Sequence, residues 1–473
     1  MRRYRRTTLI AIFCASLLAG LGLSRRVSFA PGWGLAIAAM PLLLVLRRRN
    51  LWTLYLVILL GLGFGAARGT VYMHKLHDLQ TLSNRPVTIT GTATTDAIYG
   101  QNQQLSFDMG SVHLMGSGQP LAGNFKVSGF GLPMVYRGDE LKVSGKIYPT
   151  RGSHQANISY AQFSLIGHSD AWVNKLTRRF STGEQNALPE PQASFGLGLL
   201  IGQRSGLSQD IIAQLTAVGL IHIVAVSGYN VTILARAVAR LKLRSRYQRL
   251  VLSLALIGLF VLVTGFSASI VRAAIVSTLS LLAWFYGRIF RPIVLIALTA
   301  AATALINPFY VWGDLSWYLS FLAFFGVMIV APMIQQRLFS RQPKLVTSVL
   351  LETLSAELMT LPLILTYFNQ LSLIAPLANL LIVPLVPLAM LLSAIAAVAG
   401  ALVPAIAGWL AWPAQILLTY MLDISHILAR LPIAFVKVSA GAGVMVGFYA
   451  VVTFIGNAVR RGIKRVSANA ITP

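Results

Sequence analysis

The strongest constraint on this chain is a succession of apolar runs, each near the length that crosses a bilayer, which occupies both ends and spares one stretch between them. A hydrocarbon core takes helices of about 20 apolar residues, because no water is present there to satisfy free backbone groups. Runs of this kind lie at residues 7–23, 31–46 and 51–67, and again at 219–241, 249–265, 267–286, 292–306, 314–334, 345–368, 373–398, 405–424 and 440–455. They predict a polytopic α-helical membrane protein of about twelve spans. The composition, 56% hydrophobic and 11% charged, excludes an ordinary soluble fold.

Basic residues orient the spans. The net charge is +26, and Lys and Arg collect on the cytoplasmic side of membrane proteins. Arg2, Arg3, Arg5, Arg6 and Arg47–Arg49 share one side with the basic loops at 236–249, 288–291, 337–344 and 460–465. Both termini are therefore expected in the cytoplasm, and the spared stretch outside, with Arg25 and Arg26 as weak counter-signals. The basic N-terminus followed by an apolar run reads as a membrane anchor rather than a cleaved leader. The single cysteine, Cys14, excludes a disulfide framework or a cysteine-based metal site within one chain.

The spared stretch, 69–188, has the composition of a soluble domain. Alternating segments at 87–93, 104–109, 124–129, 140–148 and 158–166, separated by Gly, Asn and Pro, predict an extracytoplasmic all-β, OB-fold-like barrel. Lys126, Arg137, Lys142 and Lys146 interleave with Phe125, Tyr136 and Tyr148. Cations beside rings suit single-stranded nucleic acid, although solvated lysines over an ordinary aromatic core produce the same pattern. Residues 175–192 read as a linker or interfacial helix, and the glycine-interrupted 194–207 as a re-entrant or surface helix.

Polar groups inside apolar runs are costly and mark candidate sites. His222, Ser227 and Asn230 flank Gly228 within one helical sector of 219–234. Arg272 and Asp314 fall at similar depth in two other spans and are expected to pair, with Ser316 and Ser320 following Asp314. Glu352 and Glu357 precede Pro362, and Asn379 lies between Pro376 and Pro384, in segments expected to bend. Such residues either line a polar path or serve as hydrogen-bonded contacts between helices. No phosphate-binding loop, HExxH pair or histidine cluster occurs, and Ser227 lacks the first glycine and the strand of a GxSxG elbow. No catalytic group, cofactor or metal site is expected.

The motifs GLIHIVAVSGYNV at 219–231, SASIVRAAI around Arg272, NPFYVWGDLSWYLSFLAFFGV with Ser320, and LSAELMTLPLILTYFNQLSLIAPLANLLIVPLVP with Glu357, Pro362, Asn379 and Pro384 occur in that order. Together they resemble the ComEC competence family of DNA-internalisation channels, over about 196–431. RGDELKVSGKI at 137–147 resembles the family's outer OB-fold domain. Asn230 stands where members commonly carry histidine. The resemblance is to the form without a C-terminal metallo-β-lactamase-like domain, so strand degradation is not implied. It implies an N-terminal membrane region at 1–68, an outer domain at 69–188, a channel domain at 189–459 and a basic cytoplasmic tail at 460–473. The implied function is passage of single-stranded DNA through the inner membrane during natural transformation. The implied partners are that strand, the lipid bilayer, other competence proteins (a DNA receptor, a cytoplasmic helicase, a separate nuclease) and further copies of the chain. A proton-coupled transporter or lipid-linked-glycan flippase, and a non-transporting envelope scaffold, are the alternatives for the same composition.

Overall fold

The computed structural model describes residues 5–452, apart from 28–50, 100–103, 117, 131–134, 150–153, 170, 289–290 and scattered positions within 225–244, 340–344 and 439–442. The candidate span at 31–46 and the tail at 460–473 lie outside the described residues, and the span at 219–241 is described only in part. Eight described helices are long and apolar enough to cross a membrane. The chain is thus a multi-pass membrane protein.

Helices α1 (Arg6–Leu23) and α2 (Leu51–Thr81) come first, followed by a β-barrel and by α3 (Trp172–Ala187) and α4 (Gln192–Ile201). Next are α5 (Arg246–Thr264), α6 (Ala268–Phe285), the shorter α7 (Pro292–Ile306) and α8 (Leu315–Phe325). Helix α8 continues through a π turn at Gly326–Val330 into Ala331–Leu338. Then come α9 (Leu345–Phe368), α10 (Ala375–Ile382), α11 (Val386–Leu402), α12 (Pro404–Ala429) and a short apolar helix at Gly443–Val452. Local chemistry sets several ends. The Ser245 hydroxyl accepts from the Tyr247 amide at the start of α5, and Gly265, at φ 83°, turns the chain out of its last turn. Pro292 starts α7, where its missing N–H costs nothing.

The chain forms two compact units, one of residues 1–212, 222–318 and 385–421, the other of 213–221, 319–384 and 422–473. In the first, α2 does not stop at residue 67, where its apolar run ends, but continues to Thr81. The extension holds Leu76 and Leu79, which pack against the barrel core, so the helix is sustained by burial after hydropathy has faded.

The barrel strands are β1 (Pro86–Ala93), β2 (Ile98–Tyr99), β3 (Leu105–Leu114), β4 (Pro120–Leu121), β5 (Phe125–Gly129), β6 (Glu140–Pro149) and β7 (Ala156–Gly167). Five of them close a ring in the order β1-β6-β7-β5-β3 and back to β1, with β2 and β4 on the flank of β3. Only β5 and β7 run parallel within it. Alternation makes the core: Phe125 and Val127 point in from β5, Leu141 and Val143 from β6, and Leu105, Phe107 and Met109 from β3.

Helix α4 corrects the expectation of a surface helix, because every residue from Ala193 to Leu200 is buried. Its glycines serve close packing rather than exposure. In the second unit, α9 crosses Pro362, whose carbonyl accepts from the Thr366 hydroxyl at 2.7 Å, and a short ribbon pairs Gln370–Leu371 with Val436–Lys437.

Candidate functional site

The polar residues singled out within apolar runs fall into both units. In the first, Arg272 stands on α6 and is 1% exposed. Its Nη2 donates to the Ser316 carbonyl at 3.2 Å and to the Ser316 hydroxyl at 3.4 Å. Nε and Nη1 have no hydrogen-bond partner among the described residues. Asp314, also buried, precedes α8 and caps it: Oδ1 accepts from the Ser316 amide at 2.9 Å and the Trp317 amide at 3.3 Å. The structure therefore brings Arg272 and Asp314 to the same helix start, yet joins them through Ser316 rather than by a direct ion pair. The carboxylate is occupied by the amides of a helix N-terminus, where negative charge is favoured. Two guanidinium donors are left for something else.

His222 lies in a short helical turn, Ile221–Val224, and Asn230 is buried farther along, its Nδ2 donating to the Leu199 carbonyl of α4 at 3.0 Å. Asn230 thus satisfies a buried backbone carbonyl, and Gly228 stands half-buried between the two. Ser227 lies outside the described residues.

In the second unit, Asn379 of α10 is buried and its Nδ2 donates to the Glu357 carboxylate of α9, while its Oδ1 has no hydrogen-bond partner among the described residues. Pro362 lies one turn beyond Glu357 on α9, and Pro384 lies in a 3₁₀ turn, Val383–Leu385, directly after α10. Ser320 is half-buried in α8, next to buried Phe321. The acid–amide pair ties α9 to α10, rather more than a turn before Pro362 on the one and before Pro384 on the other.

On the barrel, Lys126, Lys142 and Lys146 all occupy outward positions of β5 and β6, alternating with buried Phe125, Val127, Leu141, Val143 and Ile147. Arg137 differs from them. Its Nη1 donates to the Val263 carbonyl at 2.7 Å and its Nη2 to the Leu262 carbonyl at 2.8 Å, both in the last turn of α5. Burial lowers its pKa and the nearby Asp96 charge opposes that shift. The Asp96 carboxylate in turn accepts from the Arg137 amide at 2.8 Å.

Two buried acids escaped the sequence reading. Asp139, in the RGDE turn, is fully buried and accepts from the Tyr136 amide at 2.9 Å and from Arg178 of α3 at 2.8 Å, with His168 Nδ1 3.0 Å away. Glu184 of α3 is also fully buried, yet it sits in a polar sequence that looks like a solvated face. Asp139 was findable, since an Asp after Gly in a turn is a common backbone clamp. Glu184 carried no such signal.

A family profile described as "Competence protein" matches residues 199–461. Among curated proteins, "ComE operon protein 3" of Bacillus subtilis (strain 168) is 27% identical over 235 residues. That match covers 49% of this chain and 28% of the relative, so the chain spans less than a third of it. No solved structure matches. The profile runs from the end of α4, whose Leu199 carbonyl holds Asn230, past Arg272, Asp314, Glu357 and Asn379, and on these grounds the chain belongs to the competence protein family.

Proposed function

We propose that this protein is a conduit for single-stranded DNA across the inner membrane during natural transformation, and not an enzyme. The observation that carries the reading is Arg272: a cation 1% exposed, inside the family-matched region, with two donors unpartnered. A buried arginine is costly in an apolar helix unless its charge is used, and a passing phosphate would use it. Asp314 and Glu357 hold helix ends and hinges in this reading and do not touch the strand. Asn379, with a free carbonyl oxygen in the second unit, is a further lining group.

The same reading takes the chain as a channel of about twelve spans with both termini cytoplasmic. Residues 69–188 form its extracytoplasmic OB-type barrel, which receives the strand through Lys126, Lys142 and Lys146. In its support, the ring of β1, β3, β5, β7 and β6 is closed, five-stranded and parallel only at β5–β7. A conduit of this kind works with a DNA receptor outside, a helicase and a nuclease that act on the strand, lipid, and further copies of the chain.

The test is uptake of labelled DNA by a deletion strain carrying each variant, normalised to membrane-inserted protein. Arg272→Ala is expected to cut uptake at least about a hundredfold at near-normal protein level, with partial recovery in Arg272→Lys because charge survives without the fork. Asn379→Leu is expected to reduce uptake less. Wild-type uptake in Arg272→Ala would remove the lining and with it the conduit.

A further inference from the structure

Tyr160 breaks two rules at once. It is 78% exposed, and its φ of 54° places a bulky side chain in the left-handed region. The cause is a bulge in β7. On one side, β5 pairs Val127 with Ile158 and then Gly129 with Ala161; on the other, β6 pairs Lys146 with Ser159 and then Ser144 with Gln162. Both neighbours skip a residue opposite Tyr160; on β6 the position facing the bulge is Gly145, and on β5 Gly129 follows it, paired with Ala161. A Cβ on Gly129 would lie 2.2 Å from the Ala161 carbonyl oxygen, and one on Gly145 would lie 2.6 Å from the Ile158 side chain. The barrel thus accommodates a strained bulge on two sides, and bulges re-aim a side chain. Here the bulge turns the tyrosine outward, onto Phe130. Phe130, 53% exposed at the exit of β5, has its ring centroid 6.1 Å from that of Tyr160, with 34° between the planes.

The surroundings define what such a pair suits. Lys126, Lys142 and Lys146 lie on the same outward face of β5 and β6, and Tyr148, opposite Asn157, extends it with another exposed ring. The sole acid on β5, β6 and β7 is Glu140, at the first position of β6. The opposite wall of the barrel is different: the outward positions of β1 and β3 carry Thr88, Thr90, Ser106 and Asp108, and Asp108 is bridged to His154 at 2.9 Å. OB-type barrels commonly bind oligonucleotides on the face of their second and third strands, here β3 and β5. Of these two, β3 offers Ser106, Asp108 and His113 outward, whereas β5 carries Lys126 and forms with β7 and β6 a wall of rings and lysines.

We propose that Phe130 and Tyr160 form a stacking platform for the bases of a single DNA strand, whose phosphates follow Lys126, Lys142 and Lys146 along the β5–β7–β6 wall. This rests on the reading of the outer barrel as the strand's receiving site, and it names the face and the residues. Rings stack with any base, so the platform holds an unpaired strand without sequence preference. A duplex hides its base faces and cannot use it. The occupant is a flexible polyanion with exposed π faces.

The test uses the full chain in detergent or nanodiscs and two fluorescent probes of equal length, oligo(dT) and an abasic strand with the same phosphates. Tyr160→Gly is the informative variant, because glycine tolerates the positive φ and removes only the ring. Its thermal midpoint is expected to be no lower than that of the wild type. The wild type is expected to bind oligo(dT) about tenfold more tightly than the abasic strand, and Tyr160→Gly and Phe130→Ala each to bring the two probes together. Tyr160→Phe should preserve the discrimination, whereas replacing the three lysines should weaken both probes alike. If the ring variants keep wild-type discrimination, the platform is overturned while the receiving role stands. If they change only self-association of the protein, the rings are a contact between copies and the platform is likewise overturned. If the wild type binds neither probe at low salt, the receiving role itself falls.

Discussion

At the scale of single residues, the buried carboxyl of Glu184 is the most telling case. Helix α3 is polar along most of its length, yet this side chain is fully buried. Burial raises its pKa from 4.5 to about 9, with the Glu190 charge adding to the rise and the Ser393 hydroxyl offsetting part of it. Neither carboxyl oxygen completes a hydrogen bond of good geometry, and a Cβ on Gly196 would lie 2.1 Å from Oε1. The acid is therefore held neutral at physiological pH. The sign follows from proton counting: between about pH 4.5 and 9 the folded state retains a proton that the unfolded chain has lost, so stability falls as pH rises through that window. Glu184→Gln, which keeps shape and removes titration, is expected to flatten this slope and to match or exceed the wild-type thermal midpoint at pH 8. A pH 5–9 series of melting curves on the purified protein decides it; an unchanged slope in the variant would mean that Glu184 is not the titrating group. No periodicity could have exposed this residue, because polar neighbours on both sides masked one buried position.

Among elements, Arg137 shows how a residue type can be legible while its employment is not. A basic residue in the turn before an alternating β segment reads as a candidate for DNA, and the strands around it were readable from alternation alone. Its fork instead closes the last carbonyls of α5, 125 and 126 positions away in the chain. No local pattern encodes a partner at that separation. The free carbonyls at a helix end carry partial negative charge, so a guanidinium there both bonds and neutralises. Arg137→Gln is expected to cost about 1–2 kcal/mol of stability. It should leave the salt dependence of DNA binding unchanged, in contrast to Lys126→Gln and Lys146→Gln. Equal flattening of that slope by all of these would put Arg137 back on the DNA. Helix α4 illustrates the opposite limit: its apolar residues are so continuous that no face could be assigned, and burial on all sides was the outcome. Arg272 and Asp314 were legible to the level of depth, because span ends are set by bilayer thickness, but the intervening Ser316 was not.

For the whole molecule, the orientation in the membrane can be argued from two independent lines. In the proposed topology, charge assigns the basic loops at 236–249, 288–291 and 337–344 to the cytoplasm. Geometry within the first unit adds that the barrel docks Arg137 on the C-terminal end of α5, while Arg68, about midway along α2, donates to the Leu305 carbonyl at 3.0 Å and the Ile306 carbonyl at 3.3 Å, the C-terminal end of α7. Helices α5 and α7 each leave a basic segment and finish on the barrel's side, whereas α6 starts on that side and ends toward Arg288. Within the first unit, a single helix therefore separates the barrel's side from the basic segments at 236–249 and 288–291. Reporters fused after Lys242, Arg288 or Arg341 are expected to read cytoplasmic, and one inserted between Gly116 and Gly129 to read extracytoplasmic. The reporter in the barrel is the decisive one, because the outer barrel is the reason the bundle would meet an incoming strand. A cytoplasmic signal from it would invert the protein, turn Lys126, Lys142 and Lys146 toward the cytoplasm, and leave the lining around Arg272 without a receiving domain.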